Sequence, residues 1–141
     1  MNQQYRILVV AQTTTLATTL VAWLGAANHE FAVVTTFAAA KVHLSTRPDL
    51  LITEVKLGEY NGLHLALRGR AVGIRAIVIG PDDAVFAGQA AQLGGAYLTA
   101  ASLESSYLHA LIETMGRDTV HNDLRSHPWR DDVPVASVVL H

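Results

Sequence analysis

The chain has 141 residues, no cysteine and a formal net charge of −2 at pH 7, and 50% of its residues are hydrophobic. These values predict a single domain with a substantial core, and they exclude disulfides and thiolate metal sites. Without a basic cluster, the domain is not expected to bind nucleic acid. The apolar run near the start is too short for a signal peptide or a membrane span, so we expect a soluble cytoplasmic protein.

Aliphatic runs alternate with helix-capping residues along most of the chain. Strands are predicted at residues 6–10, 31–34, 49–55, 76–79 and 96–99. Helices are predicted after them, at about residues 13–25, 36–46, 63–70, 82–93 and 102–116. This alternation predicts an α/β fold with a doubly wound, parallel five-stranded sheet in the flavodoxin-like order 2-1-3-4-5. The domain is expected to span residues 1–116, and residues 117–141 to form a C-terminal tail or linker.

The stretch RPDLLITEVKLGEYNG, residues 47–62, carries the main functional signal. Pro48 ends the preceding helix, and the short apolar run after it is typical of a strand that is buried on both faces. Glu54 lies near the carboxyl end of this strand, and the turn residues Gly58 and Gly62 follow it. In open parallel sheets, binding and catalytic sites form at that edge.

This stretch resembles the third strand of the response-regulator receiver (CheY-like) family, which runs Pro-Asp, several aliphatic residues, a phospho-accepting aspartate and a loop ending in Asp-Gly or Asn-Gly. The resemblance covers roughly residues 5–116. It implies a CheY-like fold and a role in two-component phosphorelay signal transduction. Receivers of this family take a phosphoryl group from a kinase histidine onto their own aspartate, with help from Mg²⁺.

The residues that the family uses for this chemistry are replaced here. Glu54 stands at the phospho-acceptor position, and its extra methylene moves the oxygens by about 1 Å, enough to cost about 10²-fold where attack geometry matters. Ala11 and Gln12 stand in place of the metal-binding acids. Gly80 replaces the phosphate-binding hydroxyl and Ala100 the phosphate-binding lysine. The resemblance therefore implies a degenerate pseudo-receiver with no catalytic residues, no metal and no cofactor.

The roles of three further features stay open. Glu54 either mimics a phosphoaspartate by holding its charge further out, or is an inert solvated carboxylate. Lys56 either reaches back to replace the lost metal with its ammonium group, or is a solvated lysine. Tyr97 falls at the aromatic switch position of the family.

Two groups of residues raise the question of a metal site. The seven histidines lie on different predicted elements or in the tail, without i, i+3 or i, i+4 pairing. Asp82 and Asp83 stand where a helix N-terminus favours negative charge. Surface histidines and helix capping explain both groups, so no metal site is expected.

Three functions remain open. The leading one is a non-catalytic domain that binds a histidine kinase, an output domain, another regulator or a second copy of itself. In the family, the face of the fourth helix, fifth strand and fifth helix carries such contacts, which here gives the candidate interface residues Val85, Phe86, Gln89, Tyr97, Tyr107 and Leu108. The second function is a phosphorylatable receiver that uses Glu54 with weak Mg²⁺ support. The third is a small-ligand site in the emptied crevice.

Overall fold

The structure of the chain is a computed structural model that describes residues 4–122, with side chains described to residue 116. Residues 4–122 contain seven strands, in chain order β1 (Arg6–Val10), β2 (Glu30–Val34), β3 (Leu50–Glu54), β4 (Lys56–Leu57), β5 (Tyr60–Asn61), β6 (Arg75–Ile79) and β7 (Ala96–Leu98). The same residues contain five helices: α1 (Thr14–Ala26), α2 (Phe37–Leu44), α3 (Gly62–Ala71), α4 (Ala84–Gln92) and α5 (Ser105–Asn122). Within the described residues, no helix is both long and apolar enough to cross a bilayer.

The five longer strands form one parallel sheet in the order β2-β1-β3-β6-β7. Counted without the short hairpin strands β4 and β5, this is the order 2-1-3-4-5, which confirms the predicted fold class. β1 and β3 lie at the centre of the sheet, with Val9 beside Ile52, and both strands are buried almost throughout. Their continuous aliphatic sequences follow from burial on both faces.

Successive side chains of each strand point to opposite faces, so the sheet supplies two separate cores. Leu8 and Val10 of β1 belong to the core beneath α2, α3 and α4. Ile7 and Val9 belong to the core beneath α1 and α5. The helices therefore cover both faces, and the ends of the strands are left as the accessible edges of the sheet.

A buried ion pair joins β1 and β3 at the amino-terminal edge of the sheet. Arg6 Nε lies 3.4 Å from Asp49 Oδ2, and the two side chains are 3% and 0% exposed. The Arg6 backbone N–H donates to Asp49 Oδ2 (2.8 Å), and the Asp49 backbone N–H donates to the Arg6 carbonyl (2.7 Å). Removing one member of such a pair typically costs about 3–5 kcal/mol, because the other charge stays buried.

Side-chain caps define the amino ends of α2 and α4. Thr36 accepts a hydrogen bond from the Ala39 backbone N–H at the start of α2. Asp83 Oδ1 accepts from the Val85 backbone N–H (2.8 Å) at the start of α4. Asp83 is therefore a helix cap, as its position in the sequence indicated.

The last helix begins later and ends later than predicted. Ser102 does not cap it, because Ser102 Oγ accepts from the Thr99 backbone N–H (2.9 Å) and the Ser102 backbone N–H donates to the Thr99 carbonyl (3.1 Å). This turn delays α5 to Ser105, and the helix continues through Gly116 to Asn122. The remainder of the predicted tail, residues 123–141, lies outside the described residues.

Candidate functional site

The candidate site lies at the carboxyl-terminal edge of the sheet, where β3 ends at Glu54. An antiparallel hairpin of β4 and β5 follows directly, with Gly58 and Glu59 as its two-residue turn. Gly58 has φ +64°, which suits a hairpin turn with glycine at its first central position. Gln12 accepts a hydrogen bond from the Gly58 backbone N–H through its Oε1 atom (3.0 Å). The hairpin is therefore fastened to the end of β1.

Glu54 is bound to the start of α1. Its Oε1 accepts from the Thr13 backbone N–H (2.8 Å), and its Oε2 accepts from the Thr13 hydroxyl (2.9 Å). Thr13 is the N-cap residue of α1, but its own side chain makes no capping hydrogen bond. The carboxylate thus lies at the positive end of the helix macrodipole, where negative charge is favoured.

The structure shows a contact of Glu54 that neither of its two expected roles included. The carboxylate is partly buried, and both of its oxygens accept hydrogen bonds from Thr13, so it is not simply solvated. Lys56 is exposed and, among the side chains that the structure describes, forms no ion pair with Glu54. Among the described residues, Thr13 rather than the Lys56 ammonium group therefore contacts the Glu54 carboxylate.

The predicted pocket residues are divided between two adjacent depressions. One, of about 370 Å³, brings Glu54, Lys56, Gly80 and Ala100 together with the unpredicted lining residues Thr13, Leu16, Ile79, Pro81 and Leu103. The other, of about 470 Å³, lies against α1 and is lined by Ala11, Gln12, Thr14, Ala17, Thr18, Val21, Val33 and Thr35. Thr13 lines the first depression and Thr14 the second, so the start of α1 lies beside both.

Gly80 does not leave free space at the end of β6. A Cβ atom at this position would collide with the Tyr97 hydroxyl and would lie 2.7 Å from Val55 Cγ2. Tyr97 Oη donates to the Pro81 carbonyl (2.6 Å), which holds the ring over this glycine. Partial burial raises the pKa of Tyr97, and the negative charges of Asp83 and Asp82 raise it further.

The residues at this edge do not fit a Mg²⁺ site of the receiver type. Mg²⁺ requires several oxygen ligands in near-octahedral geometry. Ala11 is buried and has no ligand atom, and Gln12 Oε1 already accepts from Gly58. Both carboxylate oxygens of Glu54 accept from Thr13. Among the described residues, no cluster of three or more His, Asp or Glu side chains is arranged to hold a metal ion.

The predicted interface residues differ in accessibility. Val85 is 66% exposed and Tyr107 is 50% exposed, and Gln89 is also exposed. Phe86 and Tyr97 are half-buried against the core beneath α4. The prediction that Leu108 belongs to the interface is wrong. Its side chain is fully buried between α5 and the sheet, so it cannot contact a partner directly. The spacing of apolar residues in α5 placed Leu108 on the core-facing stripe, but did not separate it from Tyr107.

Sequence reasoning missed Thr13, the partner of Glu54. Thr13 was included only as the start of the helix predicted at about residues 13–25, where Thr is a common N-cap residue. One signal was available: Thr13 follows β1, and the ends of β1 and β3 meet at the same edge of a parallel sheet. The roles of Val55 and Pro81 left no comparable signal, because both depend on where the Tyr97 ring lies.

No protein-family model matches the sequence, and no curated protein matches it. Solved structures do match. A response regulator receiver domain protein (CheY-like) from Methanospirillum hungatei JF-1 has a TM-score of 0.71 at 17% identity, covering 86% of this chain and 100% of that one. A two-component response regulator from Clostridium difficile has a TM-score of 0.70 at 19% identity, covering 81% of this chain and 97% of that one.

A third similar structure contains a modified aspartate. It is a response regulator protein from Burkholderia pseudomallei with a phosphorylated aspartic acid, a calcium ion and citrate. Its TM-score is 0.66 at 20% identity, and the match covers 86% of this chain and 74% of that one. At these identities the likeness is one of fold, so the chain has the CheY-like fold of the response-regulator receiver domains.

Proposed function

We propose that this chain is a degenerate receiver domain of a two-component-type signalling system, which acts by binding other proteins and does not transfer phosphoryl groups. A module of this kind would work in the cytoplasm beside kinases and regulators. The receiver fold supports the signalling role. The state of Glu54 supports the loss of phosphotransfer.

The engagement of Glu54 with Thr13 is the observation that carries this proposal. A phospho-acceptor needs a carboxylate oxygen that can approach phosphorus in line with the leaving group, and a cation that neutralises the phosphoryl oxygens. Here each oxygen of Glu54 already accepts a hydrogen bond, of 2.8 or 2.9 Å, so the carboxylate is oriented towards Thr13 at the start of α1. Ala11 and Gln12 offer no carboxylate for a metal ion.

The loops around the site are held in place by protein contacts. Gln12 fastens the hairpin through Gly58, and Tyr97 holds the start of the β6–α4 loop through Pro81. In a phosphorylatable receiver these segments would have to respond to a phosphoryl group. Bonds made within the protein favour a fixed binding platform instead.

The proposed partner surface is the face formed by α4, β7 and α5. Val85, Gln89 and Tyr107 are its exposed members, with Phe86 and Tyr97 half-buried beneath them. Exposed apolar and aromatic side chains of this kind commonly anchor protein interfaces. A histidine kinase, an output domain, another regulator or a second copy of the chain are the candidate partners.

Incubation with acetyl phosphate and Mg²⁺, followed by intact-mass measurement, tests the loss of phosphotransfer. We expect no mass increase for the wild type or for Glu54→Asp, because the aspartate variant still lacks the metal-binding and phosphate-binding side chains. Glu54→Gln is the matched control, because any modification that it retains lies elsewhere in the chain. A mass increase that Glu54→Gln abolishes would overturn the proposal and would identify a phosphorylatable receiver.

A further inference from the structure

A second accessible face, remote from α5, is formed by α2, α3 and the β4–β5 hairpin, and is called the α2–α3 face below. The exposed residues of α2 on this face follow helical spacing: Ala38, Lys41, Val42 and, just beyond the helix, Ser45. Those of α3 repeat the same spacing: His64, Leu67, Arg68 and Ala71. Residues at i, i+3, i+4 and i+7 share one side of a helix, so each helix presents a continuous stripe.

An aromatic pair with two cations lies where the stripes meet the hairpin. The rings of Phe37 and Tyr60 are stacked, with centroids 4.8 Å apart and planes inclined by 16°. Lys41 Nζ lies 5.6 Å from the Phe37 centroid, and Arg68 Cζ lies 6.0 Å from it. Tyr60 remains 56% exposed above the buried Phe37. Cation–π contacts at this range hold two positive charges beside an exposed ring.

The α2–α3 face is positively charged, although the whole chain is not. Neither helix contains an acidic residue, whereas α2 carries Lys41 and α3 carries Arg68 and Arg70. Arg70 donates to the Gln92 carbonyl at the end of α4 (2.6 Å), so it faces a neighbouring element. Glu59, at the hairpin turn, is the nearest exposed acid in the chain sequence.

Four of the six large hydrophobic side chains that the described residues expose lie on or next to α2, α3 or the hairpin. Val42 is 68% exposed and Leu67 is 54% exposed, and both stand next in sequence to a cation. Tyr60 adds an aromatic ring, and Val72 lies at the end of α3 with 44% of its surface exposed. Grouped apolar surface with polar surroundings marks interaction sites on monomeric domains.

We propose that the α2–α3 face binds an acidic, amphipathic segment of a partner protein. Carboxylates of that segment would lie against Lys41 and Arg68, and its apolar side chains would pack on Tyr60, Val42 and Leu67. The charge pattern selects this partner, because complementary charge steers encounter and excludes basic or neutral segments. The inference goes beyond the proposed function, because it concerns neither Glu54 nor the face of α4, β7 and α5.

Nucleic acid fits this face less well. Single-strand binders combine an electropositive groove that follows the backbone with stacking aromatic rings. Here two cations flank the aromatic pair, and the exposed side chains of Val42 and Leu67 offer nothing to phosphates.

The test measures binding of a labelled synthetic peptide, in which glutamates alternate with leucine and phenylalanine at helical spacing, to the full chain by fluorescence anisotropy. Two control peptides replace the glutamates with lysine or the apolar residues with serine. We expect the Lys41→Glu/Arg68→Glu variant to weaken binding of the acidic peptide by at least about tenfold. Tyr60→Ser should weaken it as well, whereas Ala110→Ser, at an exposed position of α5 on the other side of the sheet, should leave it unchanged.

Circular dichroism of each variant separates lost binding from lost folding. The inference would be overturned if the wild type and Lys41→Glu/Arg68→Glu bound the acidic peptide with equal affinity. It would also be overturned if the wild type bound the serine-substituted peptide as tightly as the acidic peptide. Tighter binding of an oligothymidylate through the same residues would reassign the face to nucleic acid. If the chain forms a dimer that Arg68→Glu dissociates, the α2–α3 face is a self-association surface. None of these outcomes changes the phosphorylation result at Glu54, so the two proposals fail separately.

Discussion

The contact between Glu54 and Thr13 gives the carboxylate of Glu54 a structural role. The family resemblance assigns it to the phospho-acceptor position, and here both of its oxygens accept hydrogen bonds from Thr13, the N-cap residue of α1. The longer side chain of glutamate suits that contact, because it extends past the end of β3 towards Thr13. We infer that the acid stabilises the domain where an aspartate would have reacted.

Glu54→Gln should lower the free energy of unfolding by about 1 kcal/mol. The amide retains one acceptor but loses the charge at the start of α1 and the second acceptor for Thr13. Urea denaturation measures the difference. Glu59→Gln, at the exposed hairpin turn, is the matched control and should change the unfolding free energy little. Equal effects of the two substitutions would mean that the Thr13 contact contributes nothing.

His29 gives the fold a dependence on pH. It is 3% exposed, and its Nδ1 accepts from the Tyr5 backbone N–H (3.1 Å), which requires that nitrogen to be unprotonated. Burial lowers the pKa of His29 below 6.5, and the charge of His109 lowers it further. Below pH 6.5 the unfolded chain therefore takes up a proton that the folded chain does not, so stability falls as the pH falls.

His29→Asn should reduce this loss of stability between pH 7 and pH 5, because Asn supplies an acceptor oxygen near the position of Nδ1 and does not titrate. Urea denaturation across that pH range gives the slope. His64→Asn, at an exposed position, should keep the slope of the wild type. An unchanged slope in His29→Asn would show that another group is responsible.

At the level of single residues, the sequence predicted that Glu54 lies near the end of a buried strand, but it did not identify the contacts of Glu54. The position of Glu54 followed from Pro48 and the buried run after it, because both are local signals. Its partner Thr13 is 41 residues away in the chain, and only the packing of β1 beside β3 brings them together.

Among the elements, the ends of β6 and β7 are the most tightly coupled. Tyr97, from β7, lies over Gly80, at the end of β6, and donates to Pro81. The Gly80 backbone N–H also donates to the Leu98 carbonyl (3.0 Å), so the two strand ends are fixed to one another. A side chain cannot be added at Gly80 unless the tyrosine moves.

Gly80→Ala should lower the free energy of unfolding by about 1–3 kcal/mol through overpacking. Tyr97→Phe removes the nearest colliding atom, so the alanine should cost less in the Tyr97→Phe background. A double-mutant cycle in urea measures that coupling. Gly88→Ala is the control, because its Cβ meets nothing within 4 Å and alanine favours helix α4. If the effects of Gly80→Ala and Tyr97→Phe on the unfolding free energy were additive, the Tyr97 hydroxyl would not be what excludes a side chain at Gly80.

The elements that sequence predicted well are those with long periodic or continuous apolar signals. β1 was predicted at its observed bounds, because five aliphatic or amphipathic residues in a row are all buried. The β4–β5 hairpin was missed, because strands of two residues have no periodicity to detect. The start of α5 was misplaced, because Ser102 closes a turn with Thr99.

Across the whole molecule, the fold rests on packing and on a buried ion pair. Two cores, one on each face of the sheet, and the Arg6–Asp49 pair hold the strands in order. The alternation of elements was enough to predict this topology, because parallel strands with helical crossovers have few allowed arrangements. The surface properties of α2 and α3 did not follow from the same patterns, because they depend on which helices are neighbours.

Mg²⁺ should leave the thermal midpoint of the full chain unchanged relative to NaCl of equal ionic strength. A receiver that binds the ion in its folded state gains about 2.7 kcal/mol at 100 times the dissociation constant. We expect no such magnesium site here, because Ala11 has no ligand atom and the oxygens of Gln12 and Glu54 already accept hydrogen bonds from Gly58 and Thr13. Scanning calorimetry makes the comparison. A rise in the midpoint that Glu54→Gln removes would reveal a metal ion held at the carboxyl edge.

Arg6 and Asp49 fasten β1 to β3 at the edge of the sheet opposite to Glu54. Substitutions at positions 11, 12, 54 and 100 are therefore expected to leave the Arg6–Asp49 ion pair intact. For the design of synthetic signalling circuits, the chain therefore offers a scaffold in which metal-binding and phosphate-binding side chains can be introduced one at a time, each compared with the unmodified chain.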